Sequence, residues 1–467
     1  MKIQAARRAN RLFLARLEAQ TAALQREVFP GRLPGPYRWL DIVRGLIDTA
    51  QQYLQRSETD PTLTDDRRRE LINDAAKVAQ FAFDSLTDIR GAEASEFPHA
   101  VVRPLKRWMD DLGINETSFF RAEYLANYEL ARWEERYFTG MRDPAPTLVA
   151  ALKKVTWPFL RITVPGRALG MFPYFALVAH EAGHAIYPKI ALDVQAHNPA
   201  ALSQLAVSIQ NRCGISLQQQ HLIEIRKILS AWIEELAADA IAYHISGPAF
   251  YFSSFGFFQI SNPGFGIGKS HPPHDLRRSL LYAKIIDSSV YGLSFADVFL
   301  SRTKNNLDHD INSPGIIACP PADQLFHFLS INNHQFIAAT MVECIPYLST
   351  VYNYIFNETR KYLEANSPSL IYTPNKFNTD LEQYLSPLCL LIPPIEMPDP
   401  STGKMVGASL STILNVGWVA LLARLDEIRV QPSEFGNEET WKMERLHSLL
   451  VKAAELSDAR RSWEEAV

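Results

Sequence analysis

The sequence predicts a mainly α protein of the α+β class, in which helices predominate and one small sheet is expected. Apolar residues recur at helical spacing along much of the chain, as at Leu222, Leu229 and Leu236, and such a period is typical of amphipathic or buried helices. Apolar and polar residues alternate at Phe159–Val164 instead, which favours a strand. A chain of 467 residues, of which 47% are hydrophobic, can bury one large core or two to three smaller ones.

Composition and charge argue against several classes of protein. The formal net charge is −4 and the pI is near 6.3, which argues against a nucleic-acid partner bound by bulk electrostatics. The four cysteines form no Cys-x-x-Cys pair and are predicted to be reduced thiols, as in the cytosol. The N-terminal residues do not predict a secretory signal, and no uncharged apolar run is long enough to cross a bilayer. We therefore expect a soluble cytoplasmic protein with no membrane span.

Residues 1–143 are predicted to form an N-terminal helical region. The first helix should end at Pro30, and a second should cover Tyr37–Leu54. Thr64 is a good N-cap for a third helix, because its hydroxyl can accept a hydrogen bond from a free amide of the first turn. A fourth helix, rich in aromatic residues that suit a core, is predicted at Glu116–Tyr137.

The alternating segment Phe159–Val164 is predicted to be an edge strand. Pro158 precedes it, and Pro165 and Gly166 follow it, and proline is tolerated mainly at sheet edges and strand ends because it donates no ladder hydrogen bond. An edge strand just before the candidate metal-binding helix could pair with an extended peptide. An ordinary sheet edge without a ligand is the alternative.

Most of the remaining chain is predicted to be helical. An aromatic segment, Phe250–Phe258, is predicted to be a loop, and the polar residues 301–323 are predicted to mark a boundary. This boundary separates a core region, residues 144–300, from a C-terminal helical region, residues 301–467. The predicted helices cover residues 199–212, 217–245, 273–287, 335–365, 409–428 and 438–465.

The segment 177–186 carries a His-Glu-x-x-His pattern formed by His180, Glu181 and His184. Residues four apart lie on one face of a helix, so both imidazoles can bind a single metal ion. Glu181 can then act as a general base toward water that the metal activates. The alternative is a helix with two ordinary histidines, but two imidazoles and a carboxylate are costly to bury on an apolar helix without a ligand.

A third metal ligand is expected from a later helix that contains Glu235 and Asp239, one turn apart. Glu235 would bind zinc, and Asp239 would accept a proton from a ligating imidazole. The neighbouring Glu234 competes for the ligand role, but Ala238 stands where its supporting acid would be. An acidic turn exposed to solvent is the alternative.

The segment around His271 supplies two further candidates. His271 precedes a double proline, which holds the backbone rigidly, so its imidazole could donate a hydrogen bond to the oxyanion of a tetrahedral intermediate. Arg277 follows six residues later and could bind an acid such as Asp239. Taken alone, the segment is only a turn followed by a surface charge.

Together these motifs resemble those of the gluzincin metallopeptidases, most closely the group that contains the CAAX prenyl endopeptidase, HtpX and the Oma-type proteases. The resemblance covers residues 159–281 and implies a zincin-like catalytic core with a small sheet and a bound Zn²⁺ ion. It implies zinc ligands at His180, His184 and Glu235, a general base at Glu181, and transition-state support from His271 and Arg277. Many members of that group are embedded in membranes, whereas this sequence predicts no spanning helix.

The sequence therefore predicts a zinc-dependent metalloendopeptidase acting on a peptide or protein substrate. The competing hypothesis is a non-catalytic zinc-binding scaffold or sensor whose helical surface binds a partner. A scaffold would hold its metal in a closed tetrahedral site, whereas a catalytic site keeps one position open.

Overall fold

The fold of this computed structural model is mainly α with small sheets, and the predicted fold class is confirmed. The described residues are 2–29, 32–92, 99–123, 128–190, 199–213, 219–261, 271–272, 274–286, 325–332, 335–398, 403–429 and 437–466. They form two compact units. The N-terminal unit comprises Met1–Arg103 and Asn115–Leu169, and the C-terminal unit comprises Pro104–Ile114 and Gly170–Val467. The division into the three regions 1–143, 144–300 and 301–467 stays a prediction.

The first elements are mostly helices, together with the three strands of one sheet. They are α1 (Lys2–Leu24), α2 (Pro34–Thr59), α3 (Asp65–Arg90), α4 (His99–Asp111), β1 (Ser118–Glu123), β2 (Glu129–Trp133), α5 (Arg136–Thr139), α6 (Pro146–Leu152), β3 (Phe159–Pro165) and α7 (Gly166–Leu169). The N-cap prediction for α3 is confirmed, since the Thr64 hydroxyl accepts a hydrogen bond from the Arg67 amide at 3.3 Å.

The predicted fourth helix, Glu116–Tyr137, is wrong. The described part of this segment contains β1 and β2, which flank β3 in a sheet of order β1-β3-β2. The reason is tertiary: the fully buried Trp39 ring of α2 packs at 6.4 Å from Phe119 and at 5.4 Å from Trp133, measured between ring centroids. Aromatic residues pack well on the face of a sheet, and burial there outweighs a helical spacing.

The strand at Phe159–Val164 is confirmed, but its prediction as an edge strand is wrong. β3 is the central strand, parallel to β1 with Ser118 opposite Leu160 and antiparallel to β2 with Trp133 opposite Phe159. Both of its edges are therefore occupied, which also overturns pairing of β3 with an extended peptide. The flanking prolines lie at the ends of the strand, where a missing N–H removes no central ladder hydrogen bond.

The C-terminal unit is built on long helices. After a 3-10 helix that contains Pro173 (Phe172–Leu177), the elements are α8 (Val178–Ile186), α9 (Pro199–Cys213), α10 (Gln219–Ser246), α11 (Pro248–Ser261), α12 (His274–Ile286), β4 (Leu325–Asn332), β5 (Gln335–Thr340), α13 (Met341–Asn366), α14 (Pro374–Cys389), β6 (Glu396–Pro398), β7 (Met405–Gly407), α15 (Leu410–Ala423) and α16 (Glu438–Ala466). Strands β4 and β5 pair with each other, as do β6 and β7.

Two further predictions in this unit differ from the structure. The aromatic segment Phe250–Phe258 is helical, within α11, because Gly247 turns the chain with φ of +61° and Pro248 suits the first position of the next helix. The helix predicted at residues 335–365 begins at Met341, because residues 335–340 pair with β4. The predicted boundary at residues 301–323 lies outside the described residues.

Among the described residues, no helix combines the length and the apolar character that crossing a membrane requires.

Candidate metal centre

Helices α8 and α10 approach each other closely at Gly183. A Cβ atom built on Gly183 would lie 2.8 Å from the Ala238 Cα atom and 3.0 Å from its carbonyl oxygen. No side chain larger than hydrogen fits there without moving the backbone. Because Gly183 lies between the two histidines of α8 and Ala238 lies one turn after Glu235, this contact brings imidazoles and carboxylate together.

Three electron-pair donors converge between these helices. The Nε2 atoms of His180 and His184 lie 3.2 Å apart. The Glu235 carboxylate lies between them, with Oε2 at 3.4 Å from His180 Nε2 and Oε1 at 3.4 Å from His184 Nε2. One ligand atom from each of these three residues lies within 4.8 Å of the others, so the group could hold a metal ion. The Glu235 side chain is only 8% exposed, so its charge is largely removed from water.

The outer nitrogen of each imidazole faces a second carboxylate. His180 Nδ1 lies 2.9 Å from Asp239 Oδ1, although this ion-pair contact is poorly aligned for a hydrogen bond. His184 Nδ1 lies 3.1 Å from Glu234 Oε1. A carboxylate at Nδ1 favours the proton on that nitrogen, so that the Nε2 lone pair is free for a metal. Glu234, which the sequence offers as a competing ligand, thus lies on the outer side of His184.

Arg277 joins the two buried acids of α10. Its Nε and Nη2 atoms donate hydrogen bonds to Asp239 at 2.7 and 2.6 Å, and its Nη1 atom lies 3.1 Å from Glu235 Oε2. Burial alone would raise the pKa of Glu235, but Arg277 and then His180 outweigh it and lower that pKa well below the ordinary value. Burial would also raise the pKa of Asp239, but Arg277 outweighs this effect and lowers that pKa. Both carboxylates therefore remain ionised.

Glu181 is buried beside this group, with 7% of its surface exposed. Burial raises the pKa of its carboxyl group, and the nearby imidazoles of His180 and His184 partly oppose that shift. A carboxylate with a raised pKa is a stronger base than one in water.

His271 is the most accessible of the predicted site residues. Its Nε2 atom lies 3.3 Å from Glu235 Oε1, while half of the side chain remains exposed. Burial of the other half lowers the pKa of His271, because the imidazolium ion loses hydration. The structure thus brings all seven predicted residues into one cluster.

The donor set fits a divalent cation such as zinc. Glu235 Oε2 is buried and accepts no well-aligned hydrogen bond from the described residues. Without a cation, the pKa of His180 is raised, because contacts to Asp239 and Glu235 outweigh the opposing effect of burial. A metal ion at Nε2 would replace that proton and bind this carboxylate oxygen. Two imidazoles and one carboxylate are a ligand set typical of catalytic zinc.

Phe250 is a site residue for which the sequence contains no signal. Its ring stacks on the His180 imidazole, with 6.1 Å between ring centroids and 7° between ring planes. Phe250 belongs to α11, and its approach to α8 depends on packing between distant segments. The sequence gives a partial indication of the role of Glu234, since two adjacent acids on one helix can contact two different imidazoles.

No family model matches the chain, and comparisons with curated proteins and with solved structures find no match either. The resemblance to gluzincin metallopeptidases therefore rests on the three motifs and stays a prediction.

Proposed function

We propose that this chain is a zinc-dependent metallopeptidase that hydrolyses peptide bonds. The observation that carries the proposal is the convergence of His180, His184 and Glu235 with a buried carboxylate, Glu181, beside them. A structural metal site needs ligands only, whereas a hydrolytic site also needs a base.

The three converging residues would hold the metal, with Asp239 and Glu234 keeping the two imidazoles oriented. A bound zinc ion would supply Lewis acidity, which polarises a carbonyl group and makes water more acidic.

Glu181 is the general base in this proposal. Its carboxylate accepts a proton from the attacking water and later returns it to the leaving amine. The burial of Glu181 beside His180 and His184 supports this role, because its carboxyl group can hold the proton between the two steps.

His271 is the group that would contact the substrate carbonyl. Its half-exposed imidazole can donate a hydrogen bond to the oxygen on which negative charge develops. Arg277 acts indirectly, by holding Asp239 and Glu235 in place, and is a positioning residue.

The proposal is tested by metal analysis of the purified protein and by cleavage of a peptide library. Wild-type protein should contain about one zinc ion per chain, since one such donor set is proposed. Glu181→Gln should retain the zinc and lose hydrolysis by about 100-fold to 10,000-fold, because the base is removed and the ligands are kept.

The matched control is Glu444→Gln, which removes a carboxylate from an exposed position of α16 and should leave hydrolysis unchanged. Equal turnover by the Glu181→Gln variant, or no cleavage of any peptide by zinc-loaded wild-type protein, would contradict the proposal.

A further inference from the structure

A cavity of about 360 Å³ lies in the C-terminal unit and shares no lining residue with the candidate metal centre. Its volume is at the lower end of the range for small-molecule sites. Three cationic side chains from three different helices line it: Arg107 of α4, Lys376 of α14 and Arg461 of α16. The acidic residues of the lining are Asp111 and Asp458.

Arg107 is already neutralised by acids. Its Nε atom lies 3.3 Å from Asp458 Oδ1, and its Nη1 atom lies 3.3 Å from Glu465 Oε1. Of the charged residues in the lining, Arg107 and Asp458 are therefore paired with each other. The remaining charged residues of the lining are Lys376, Arg461 and one carboxylate, Asp111.

Lys376 and Arg461 differ from Arg107, because neither has a carboxylate within ion-pair distance among the residues that the structure describes. Arg461 donates from Nε and Nη2 to the Gly407 carbonyl at 3.2 and 3.1 Å. The Lys376 ammonium lies 5.9 Å from the centroid of the Tyr372 ring. Burial lowers the pKa of both side chains, which reflects the cost of holding two cations partly out of water.

The N-terminus of α15 faces the same cavity. Ser409 caps this 14-residue helix by accepting a hydrogen bond from the Thr412 amide at 3.1 Å, and Leu410 and Ser411 line the cavity. The first turn of a helix carries partial positive charge. Its charge adds to that of the two cations and favours a negative ligand.

We propose that this cavity binds the oxyanion group of a small molecule, a carboxylate or a phosphate, between Lys376 and Arg461. The apolar part of such a ligand would contact Trp108, Ile371 and Ile413, which form part of the lining. Asp380 near Lys376 and Asp111 near Arg461 offset part of this positive charge from beyond ion-pair distance. A bound oxyanion would place a negative charge within ion-pair distance of both cations. This site is independent of the proposed peptidase activity, because none of its residues belongs to the metal centre.

Calorimetric titration of the full chain with inorganic phosphate, and separately with acetate, tests the proposal at constant ionic strength. Saturable binding of at least one of the two anions is expected. Phosphate alone would identify a phosphate ligand, and acetate alone a carboxylate. Lys376→Gln and Arg461→Gln should each weaken binding about tenfold or more, since each removes a charge-assisted contact.

Arg460→Gln is the matched control. Arg460 precedes Arg461 on α16, but its Nε atom donates to Glu464 at 2.7 Å and it does not line the cavity, so binding should be unchanged. Because Arg461 also supports β7, Lys376→Gln decides the outcome if the Arg461 variant does not fold. The proposal is overturned if neither anion binds to the wild-type protein. It is also overturned if the Lys376→Gln variant binds both anions as tightly as the wild type does, because the anions would then bind elsewhere, for example at the candidate metal centre.

Discussion

Asp239 contacts both a candidate zinc ligand, His180, and the buried guanidinium of Arg277. Asp239→Asn keeps the shape of the side chain but removes its charge, so the His180 imidazole is less well oriented and Arg277 loses one of its two acidic partners. We expect zinc affinity to fall about 10-fold to 100-fold. The free energy of unfolding should fall by up to about 3 kcal/mol, because a buried ion pair is broken.

Competition with a chromophoric zinc chelator measures the affinity, and urea denaturation measures the stability. Glu234→Gln is the matched comparison, because Glu234 contacts the other imidazole but its side chain is 43% exposed. Because Glu234 is partly exposed, water can replace much of the contact that Glu234→Gln removes. We therefore expect Glu234→Gln to lower zinc affinity and stability less than Asp239→Asn does. An Asp239→Asn variant that binds zinc as tightly as wild type would refute the orienting role of Asp239.

At the scale of whole elements, the contact between α8 and α10 positions the residues of the candidate metal centre. Gly183→Ala would raise the helix propensity of α8 by about 1 kcal/mol. The added Cβ would lie 2.8 Å from the Ala238 Cα atom, and overpacking of this kind costs about 1–3 kcal/mol. The clash is with backbone and cannot be relieved by a rotamer change, so we expect a net loss of stability and weaker zinc binding.

Gly140→Ala is the control, because a Cβ on Gly140 meets nothing within 4 Å and its φ is −77°. That variant should be as stable as wild type or slightly more stable. Both variants are compared by thermal unfolding and zinc titration. If Gly183→Ala proved more stable than wild type with unchanged zinc affinity, close packing of α8 on α10 would not be what positions the ligands.

At the scale of the whole molecule, the C-terminal unit has an extensive apolar core apart from the metal centre. Fully buried residues on four of its helices include Ile241, Leu348, Phe377 and Leu414. A chain with such a core does not need a metal ion to fold, unlike small zinc domains. Chelation of zinc should therefore abolish peptidase activity, lower the melting temperature and leave the helical circular dichroism spectrum intact at 25 °C.

The competing zinc-scaffold hypothesis predicts the opposite result. If zinc held the unit together, chelation would unfold it, with loss of the helical spectrum and exposure of apolar surface to a dye. Restoring zinc to the chelated protein should recover the lost activity, which separates metal removal from irreversible damage.

The sequence by itself determined the features that depend on neighbouring residues. Helical spacing predicts α2 and α10, and the cap at Thr64 needs only the amide of Arg67. The spacing of His180 and His184 placed both imidazoles on one helical face. These interactions lie within one or two helical turns, so the local pattern records them.

Only the tertiary structure decided which distant segments meet. β3 is a central strand between β1 and β2, and both of those strands lie where a helix is predicted. Glu234 contacts His184, and Phe250 stacks on His180. Each of these depends on packing energy between residues far apart in the chain, which a local pattern of residue types does not contain. The same packing, at Gly183 and Ala238, converts two separate motifs into one candidate metal centre.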